Sequence, residues 1–302
     1  MSQQEHTAGG PAPTGRTAPA HLDELAQALE QAEAVIVGAG AGLSAAAGLT
    51  YSGERFTRLF PDFIARYGLT DMYSAGFHPF PSPEVRWAYW SRHIWHNRYE
   101  PGPLPTYATL MRLLAGREHT IITTNVDHQL QLAGADRTRL FYTQGDYGLW
   151  QCSAPCHEAT YDNEETVREM VLRQRDLQVP GELVPHCPVC GEPMAMNLRV
   201  DASFVQDEGW HEAAKRHRAF LTAHQGERVL LLELGVGANT PAIIKYPFWA
   251  MTADNPHATY ACLNLGQAGA PSAIADRSVL IDADIDTALS ALEPMLATGG
   301  RP

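Results

Sequence analysis

The sequence predicts an α/β fold in which a Rossmann-like parallel sheet is covered by helices on both faces and carries a smaller lobe. Three observations predict it. Short apolar runs rich in Val, Ile and Leu alternate with stretches of helical periodicity. The first of these runs leads straight into a glycine-rich turn. Four of the five cysteines fall in two short-spaced pairs inside one interruption of the alternation.

The bulk numbers exclude several other classes. The 302 residues allow one large domain or two small ones, and 45% hydrophobic residues suffice for a core. Lys and Arg number 22 against 34 Asp and Glu, a net charge of −12. That balance speaks against a nucleic-acid partner, because phosphate contacts need clustered cations. Five cysteines are too few for a disulfide scaffold in a chain of this length. Residues 1–20 are rich in Pro and Gly and lack the apolar segment of a secretory signal, so a flexible tail is expected there. No apolar run approaches the roughly 18–20 residues of a membrane-spanning helix. The expectation is a cytoplasmic protein without a membrane partner.

The elements follow in order. Residues 21–32 place Leu22, Leu25, Ala26 and Leu29 on one helical face. Residues 34–37 form the first strand. Residues 51–103 leave the alternation, with Trp87, Trp90 and Trp95 on a helix whose aromatic spacing reads as core packing. Residues 109–114 are helical, 119–124 a β-branched strand, 126–133 a helix stopping at Gly134, and 139–143 another strand. Residues 150–198 carry the four cysteines and form the second interruption. Strands at 229–234, 258–263 and 278–281 complete the sheet. The result is a single domain over residues 21–302, with insertions at 51–103 and 150–198 that build the smaller lobe.

Gly40-Ala41-Gly42-Leu43-Ser44-Ala45 fits the G-x-G-x-x-[G/A] pattern after a strand. Gly40 permits the tight turn, Gly42 lets the backbone approach a pyrophosphate, and Ala45 lets the helix pack closely with its N-terminus facing the anion. A dehydrogenase would then place an acid at the end of a second strand about 20 residues on. Asp62 has the distance, but Leu59-Phe60-Pro61-Asp62 is not a strand, which weakens that reading. Cys152 and Cys156, then Cys187 and Cys190, make two pairs. Four thiolates close a tetrahedral zinc site with no open position, so the metal is structural. His157 and His186 flank the pairs as neighbours rather than ligands, and Cys262 reads as core.

Taken together, GAGLSAAAG from Gly40 to Gly48, TTNVD from Thr123 to Asp127, the cysteine pairs, Gly235-Val236-Gly237 and Asn264 resemble the motifs of sirtuins in kind and in order. The resemblance spans roughly residues 34–288. It implies the sirtuin fold, an NAD-binding Rossmann-like domain beside a small zinc lobe. It also implies roles. Gly40, Ala41, Gly42 and Ala45 would meet NAD at the first turn, Gly235, Gly237 and Asn239 would meet its second half, and Asn264 would reach the adenosine ribose. Asn125 would orient the nicotinamide ribose or the attacking group, and Asp127 would hold the nicotinamide carboxamide. Without the resemblance, Asn125 reads as a helix cap and Gln144 as a polar strand end.

The departures narrow the reading. Ordinary sirtuins follow the glycine-rich turn with Pro-Asp-Phe-Arg; here the residues are Thr50-Tyr51-Ser52-Gly53. Tyr51 is a packing residue or a partial substitute for the missing aromatic lid. Their catalytic histidine corresponds to Gln144, and their peptide-pairing Phe-Gly-Glu is replaced within residues 202–207. This set is similar to the macrodomain-linked, class M, sirtuins. That branch implies protein ADP-ribosylation, a lipoylated carrier related to the glycine cleavage H protein as acceptor, and a macrodomain hydrolase as functional partner. A sirtuin-type deacylase and a non-catalytic NAD sensor are the alternatives. Chemistry favours the first. Deacylation needs a base for a ribose hydroxyl, and an amide cannot take that proton at neutral pH. Cleaving the bond to nicotinamide depends chiefly on positioning and electrostatics.

Overall fold

The computed structural model describes residues 18–237 and 241–298. Residues 1–17 of the expected tail, and Asn239, lie outside them.

The six strands that the apolar runs predict pair into one parallel sheet. They are β1 (Ala34–Ala39), β2 (His119–Thr123), β3 (Leu140–Tyr142), β7 (Val229–Leu234), β8 (Thr259–Leu263) and β9 (Ser278–Ile281), in the order β3-β2-β1-β7-β8-β9. Strand alternation sorts their side chains. Val35, Val37, Leu230 and Leu232 face one layer, and Ile36, Leu231 and Tyr260 face the other. The first layer holds α1 (Ala18–Gln31), α7 (Pro105–Leu114) and α12 (Ile285–Thr298). The second holds α10 (Glu208–Ala223) and α11 (Lys245–Asp254). The chain leaves β1 toward β2 and later returns to pair β7 on the opposite side. The carboxyl ends of β1 and β7 therefore flank a crevice at the switch of strand order, the usual ligand position in open α/β sheets.

Both interruptions share one further core. The first contains α3 (Glu54–Leu59), α4 (Pro61–Tyr67), α5 (Met72–Ala75), α6 (Pro83–Ile94) and a π-helical turn, Trp95–Tyr99. The second contains a three-stranded antiparallel sheet, β5-β4-β6, made from β4 (Gly145–Cys152), β5 (Tyr161–Asp162) and β6 (Met194–Leu198), with α9 (Glu164–Arg173) beside it. Phe56, Phe60, Trp87, Tyr89, Trp150 and Met170 pack together at their junction. The tryptophan spacing is thus core packing for Trp87 and Trp90. Arg92 and Arg98 on the same segment turn to internal partners, Asp62 and Asp146. Asp62, at the distance where a dehydrogenase keeps its ribose ligand, sits at the start of α4 instead.

Several boundaries differ from the sequence reading. The first helix starts at Ala18, three residues before position 21. The small sheet starts at Gly145 rather than at 150, because Gly145 pairs with Leu198. The helix expected over 126–133 contracts to α8 (Gln129–Leu132). His128 adopts the left-handed conformation, φ 64°, and the Val126 carbonyl accepts a hydrogen bond from Tyr147 N, so neither continues a helix. Among the described residues no helix is long and apolar enough to cross a membrane.

Candidate functional site

The crevice is built backbone against backbone. Gly42 N donates to Gly235 O at 2.9 Å, and Gly40 N donates to Leu234 O at 2.9 Å. A Cβ on Gly42 would lie 2.7 Å from Gly235 Cα, and one on Gly235 would lie 2.5 Å from Gly42 Cα. Only glycine tolerates this contact, and Gly235 also sits at φ 64°. The short α2 (Ala41–Ala46) begins directly after Gly40. Beside it lies a cavity of about 400 Å³. Ala41, Gly42, Ala45, Gly235, Gly237 and Asn264 line this cavity, so six of the sequence candidates meet in one place. Asn264 Nδ2 donates to Val236 O at 3.0 Å and fixes the second glycine loop. The sequence reading missed Gln267 and Asp284 on the far wall. Both follow parallel strands at their carboxyl ends, the position that could have flagged them.

A polar cluster adjoins the turn. Asp127 is buried, with 5% of its surface exposed. Its Oδ2 accepts from Ser44 Oγ at 2.5 Å and from Tyr107 OH at 3.4 Å, and its Oδ1 accepts from Gln129 N at 3.0 Å. Burial pushes the Asp127 carboxyl above its ordinary value, against the pull of these donors. Asn125 does not cap α8; Asp127 receives the free N–H of Gln129 there. Asn125 Nδ2 instead donates to Gly40 O at 3.0 Å, tying the loop after β2 to the glycine-rich turn. Gln144 follows β3. Its carbonyl accepts from Arg199 N, while its half-buried amide makes no hydrogen bond with the described residues. An amide so placed is free to hydrogen-bond a ligand and is unable to serve as a base.

Tyr51 belongs to a buried chain of hydrogen bonds. Its hydroxyl lies 2.6 Å from Tyr147 OH, which lies 2.9 Å from His93 Nε2. Burial holds the Tyr51 phenol up at about 12 and brings the His93 imidazole down to about 3, so both are neutral at physiological pH. Arg55, which sequence reading also missed, pins the same segment. It donates to Thr50 O at 2.9 Å, Asn97 Oδ1 at 2.9 Å and His96 O at 2.7 Å. An arginine therefore braces this loop four residues beyond Tyr51, although the Pro-Asp-Phe-Arg register lacks one.

The four predicted thiols converge, all within 4.8 Å of one another. Cys152 and Cys190 sulfurs are 3.5 Å apart, and those of Cys156 and Cys187 are 3.7 Å apart. Sulfurs bound to one tetrahedral zinc at about 2.3 Å sit at about this separation, so the donor set fits zinc. Gly191 N donates to Cys187 O at 2.9 Å in the tight turn of the second pair, with Gly191 at φ 79°. His157 Nδ1 lies 3.0 Å from Cys156 Sγ, beside the cluster.

No family model matches the chain. It is 41% identical over 267 residues to a protein ADP-ribosyltransferase of Staphylococcus aureus, covering 88% of this chain and 85% of that protein. The chain belongs to the protein ADP-ribosyltransferase family. A longer member-like protein of Fusarium oxysporum, named "Probable bifunctional ADP-ribose hydrolase/ADP-ribosyltransferase", is 33% identical over 251 residues, 78% of this chain but 40% of that protein. Solved sirtuins share the fold. One matches with a TM-score of 0.55 at 15% identity, over 92% of this chain and 98% of that chain. A Sir2 homologue mutant in complex with ADP-ribose matches with a TM-score of 0.59 at 13% identity, over 91% and 96%.

Proposed function

We propose that the protein transfers ADP-ribose from NAD to a lipoylated, glycine cleavage H-like carrier protein and releases nicotinamide. The observation that carries the reading is the amide of Gln144, without a hydrogen-bond partner among the described residues, on the turn next to the Asn125–Asp127 loop. The cavity beside Gly42 and Gly235 would hold the adenosine side of NAD, with the α2 amino terminus toward the pyrophosphate. Asp127 would accept from the nicotinamide carboxamide, and Asn125 would orient the ribose. The acceptor nucleophile bonds to C1′ as the bond from C1′ to the pyridinium nitrogen breaks, and the electron pair leaves with neutral nicotinamide. An oxocarbenium-like transition state of this kind gains from fixed dipoles more than from a base. Cys152, Cys156, Cys187 and Cys190 would hold zinc, which supplies folding stability rather than chemistry. A macrodomain hydrolase would remove the mark.

Incubating the protein with NAD and lipoylated carriers tests the reading. One ADP-ribosyl unit added to a carrier supports it; removal of an acyl group from a lysine peptide without any carrier modification speaks for a deacylase instead.

A further inference from the structure

Asp146 lies two residues beyond Gln144 and is 5% exposed. Its carboxylate accepts from three donors on three separate segments. Oδ1 accepts from Arg98 Nε of the π-helical turn at 2.9 Å and from Gly148 N at 2.7 Å. Oδ2 accepts from His128 Nδ1, in the loop after β2, at 2.5 Å. Because the carboxylate only accepts, His128 carries its proton on Nδ1. The His128 contact and the Arg98 charge hold the Asp146 carboxyl below its ordinary value even though burial acts to raise it.

Two features argue that this knot does more than fill space. His128 keeps φ 64°, a conformation that glycine adopts at no cost and that an ordinary side chain adopts only under strain. The strained residue is the one directly after Asp127. The pocket around the carboxylate is also shaped for it, since a Cβ on Gly148 would come within 3.1 Å of Arg98 Nε, Asp146 Oδ1 and Tyr99 OH.

We propose that Asp146, acting through His128, is a positioning residue that locks the Asn125–Asp127 loop to the Gln144 turn and to the helical lobe. The inference rests on the ADP-ribosyl-transfer reading for its meaning, not for its geometry. Without the lock, Asn125 and Asp127 stay attached to the glycine-rich turn through Gly40 and Ser44, and Val126 O still accepts from Tyr147 N, but the His128 end of the loop loses its side-chain tie and its fine placement against Gln144 loosens. Misplacement of about 1 Å at such a site costs on the order of 100-fold in rate.

The decisive variant is His128→Gly in the full chain. It removes the tie to Asp146, which costs a buried carboxylate one donor, and relieves the backbone strain, so a purely structural role for His128 predicts a shifted melting temperature with kcat of the folded protein intact. The proposal predicts, whichever way the melting temperature moves, kcat for NAD-dependent nicotinamide release by the folded protein lower by about tenfold or more, and KM for NAD within about twofold. Asp146→Asn should lower kcat in the same direction. Unchanged kcat in His128→Gly overturns the proposal. Hydrogen exchange supplies a readout independent of turnover: amides of residues 124–129 and 144–148 should exchange faster in His128→Gly, and unchanged protection also overturns it. If the native protein releases no nicotinamide at all, the functional reading fails while the exchange result still decides whether the lock exists.

Discussion

Ser44 Oγ donates to Asp127 Oδ2 at 2.5 Å, joining the helix after the glycine-rich turn to the loop after the second strand. Through this contact the two segments expected to share one ligand are held in one piece before any ligand arrives. The contact is also where a charge is kept in a buried place at an energetic cost. Asp127→Asn keeps the shape and removes that charge. Its folded carboxyl is raised above the unfolded value, so ionisation of Asp127 lowers stability as pH rises past about 4, the ordinary carboxylate value. The native protein should therefore lose stability relative to Asp127→Asn as pH rises above about 4, and the stability difference should stop changing with pH below that value. Denaturant melts at several pH values measure it. Nicotinamide release should fall by about 100-fold in the same variant, because an N–H donor takes the place of one accepting carboxylate oxygen and the negative charge is lost.

Tyr147 links Tyr51 to His93 inside the small lobe. Tyr147→Phe leaves the His93 nitrogen and the Tyr51 hydroxyl without their shared partner. A stability loss of about 1–3 kcal/mol follows from the unsatisfied groups. Looser placement of Tyr51 should raise KM for NAD several-fold with a smaller change in kcat. Steady-state kinetics beside a urea titration separates the two effects.

The thiol cluster makes a stoichiometric prediction. Protein purified without chelator should carry about one zinc per chain by elemental analysis, and Cys187→Ser should carry far less. Since Cys152 and Cys187 are buried in the same core as Trp87 and Trp150, metal loss should lower the melting temperature and quench or shift tryptophan fluorescence. Unchanged fluorescence on metal removal would separate the cluster from that core.

Gly42→Ala tests the crevice itself. The new Cβ would meet Gly235 Cα at 2.7 Å, backbone that cannot rotate away. Overpacking of this kind costs about 1–3 kcal/mol, and widening the two loops should weaken NAD binding by calorimetry.

Residues whose role follows from local sequence were legible before the structure. The six apolar strands, the glycine turn and the cysteine pairs each carry their signal within a few neighbouring positions. What the sequence concealed depends on distant contacts. Arg55 reaches Asn97 and His96 across about 40 residues. Asp146 gathers Arg98 and His128 from two other segments. Neither periodicity nor spacing encodes such meetings. The helix expected over 126–133 failed for a related reason, because His128 takes a left-handed conformation while its side chain is tied to the distant Asp146. Asn125, which local pattern assigns to a cap, is drawn to Gly40 on a neighbouring strand's turn.

The intact mass of a lipoylated carrier, recorded after incubation with NAD and either the native protein or Asn125→Ala, decides whether this protein transfers ADP-ribose to such a carrier. The carrier should gain one ADP-ribosyl unit with the native protein and none with Asn125→Ala. An unmodified carrier in the presence of native protein, or equal modification by both, contradicts it.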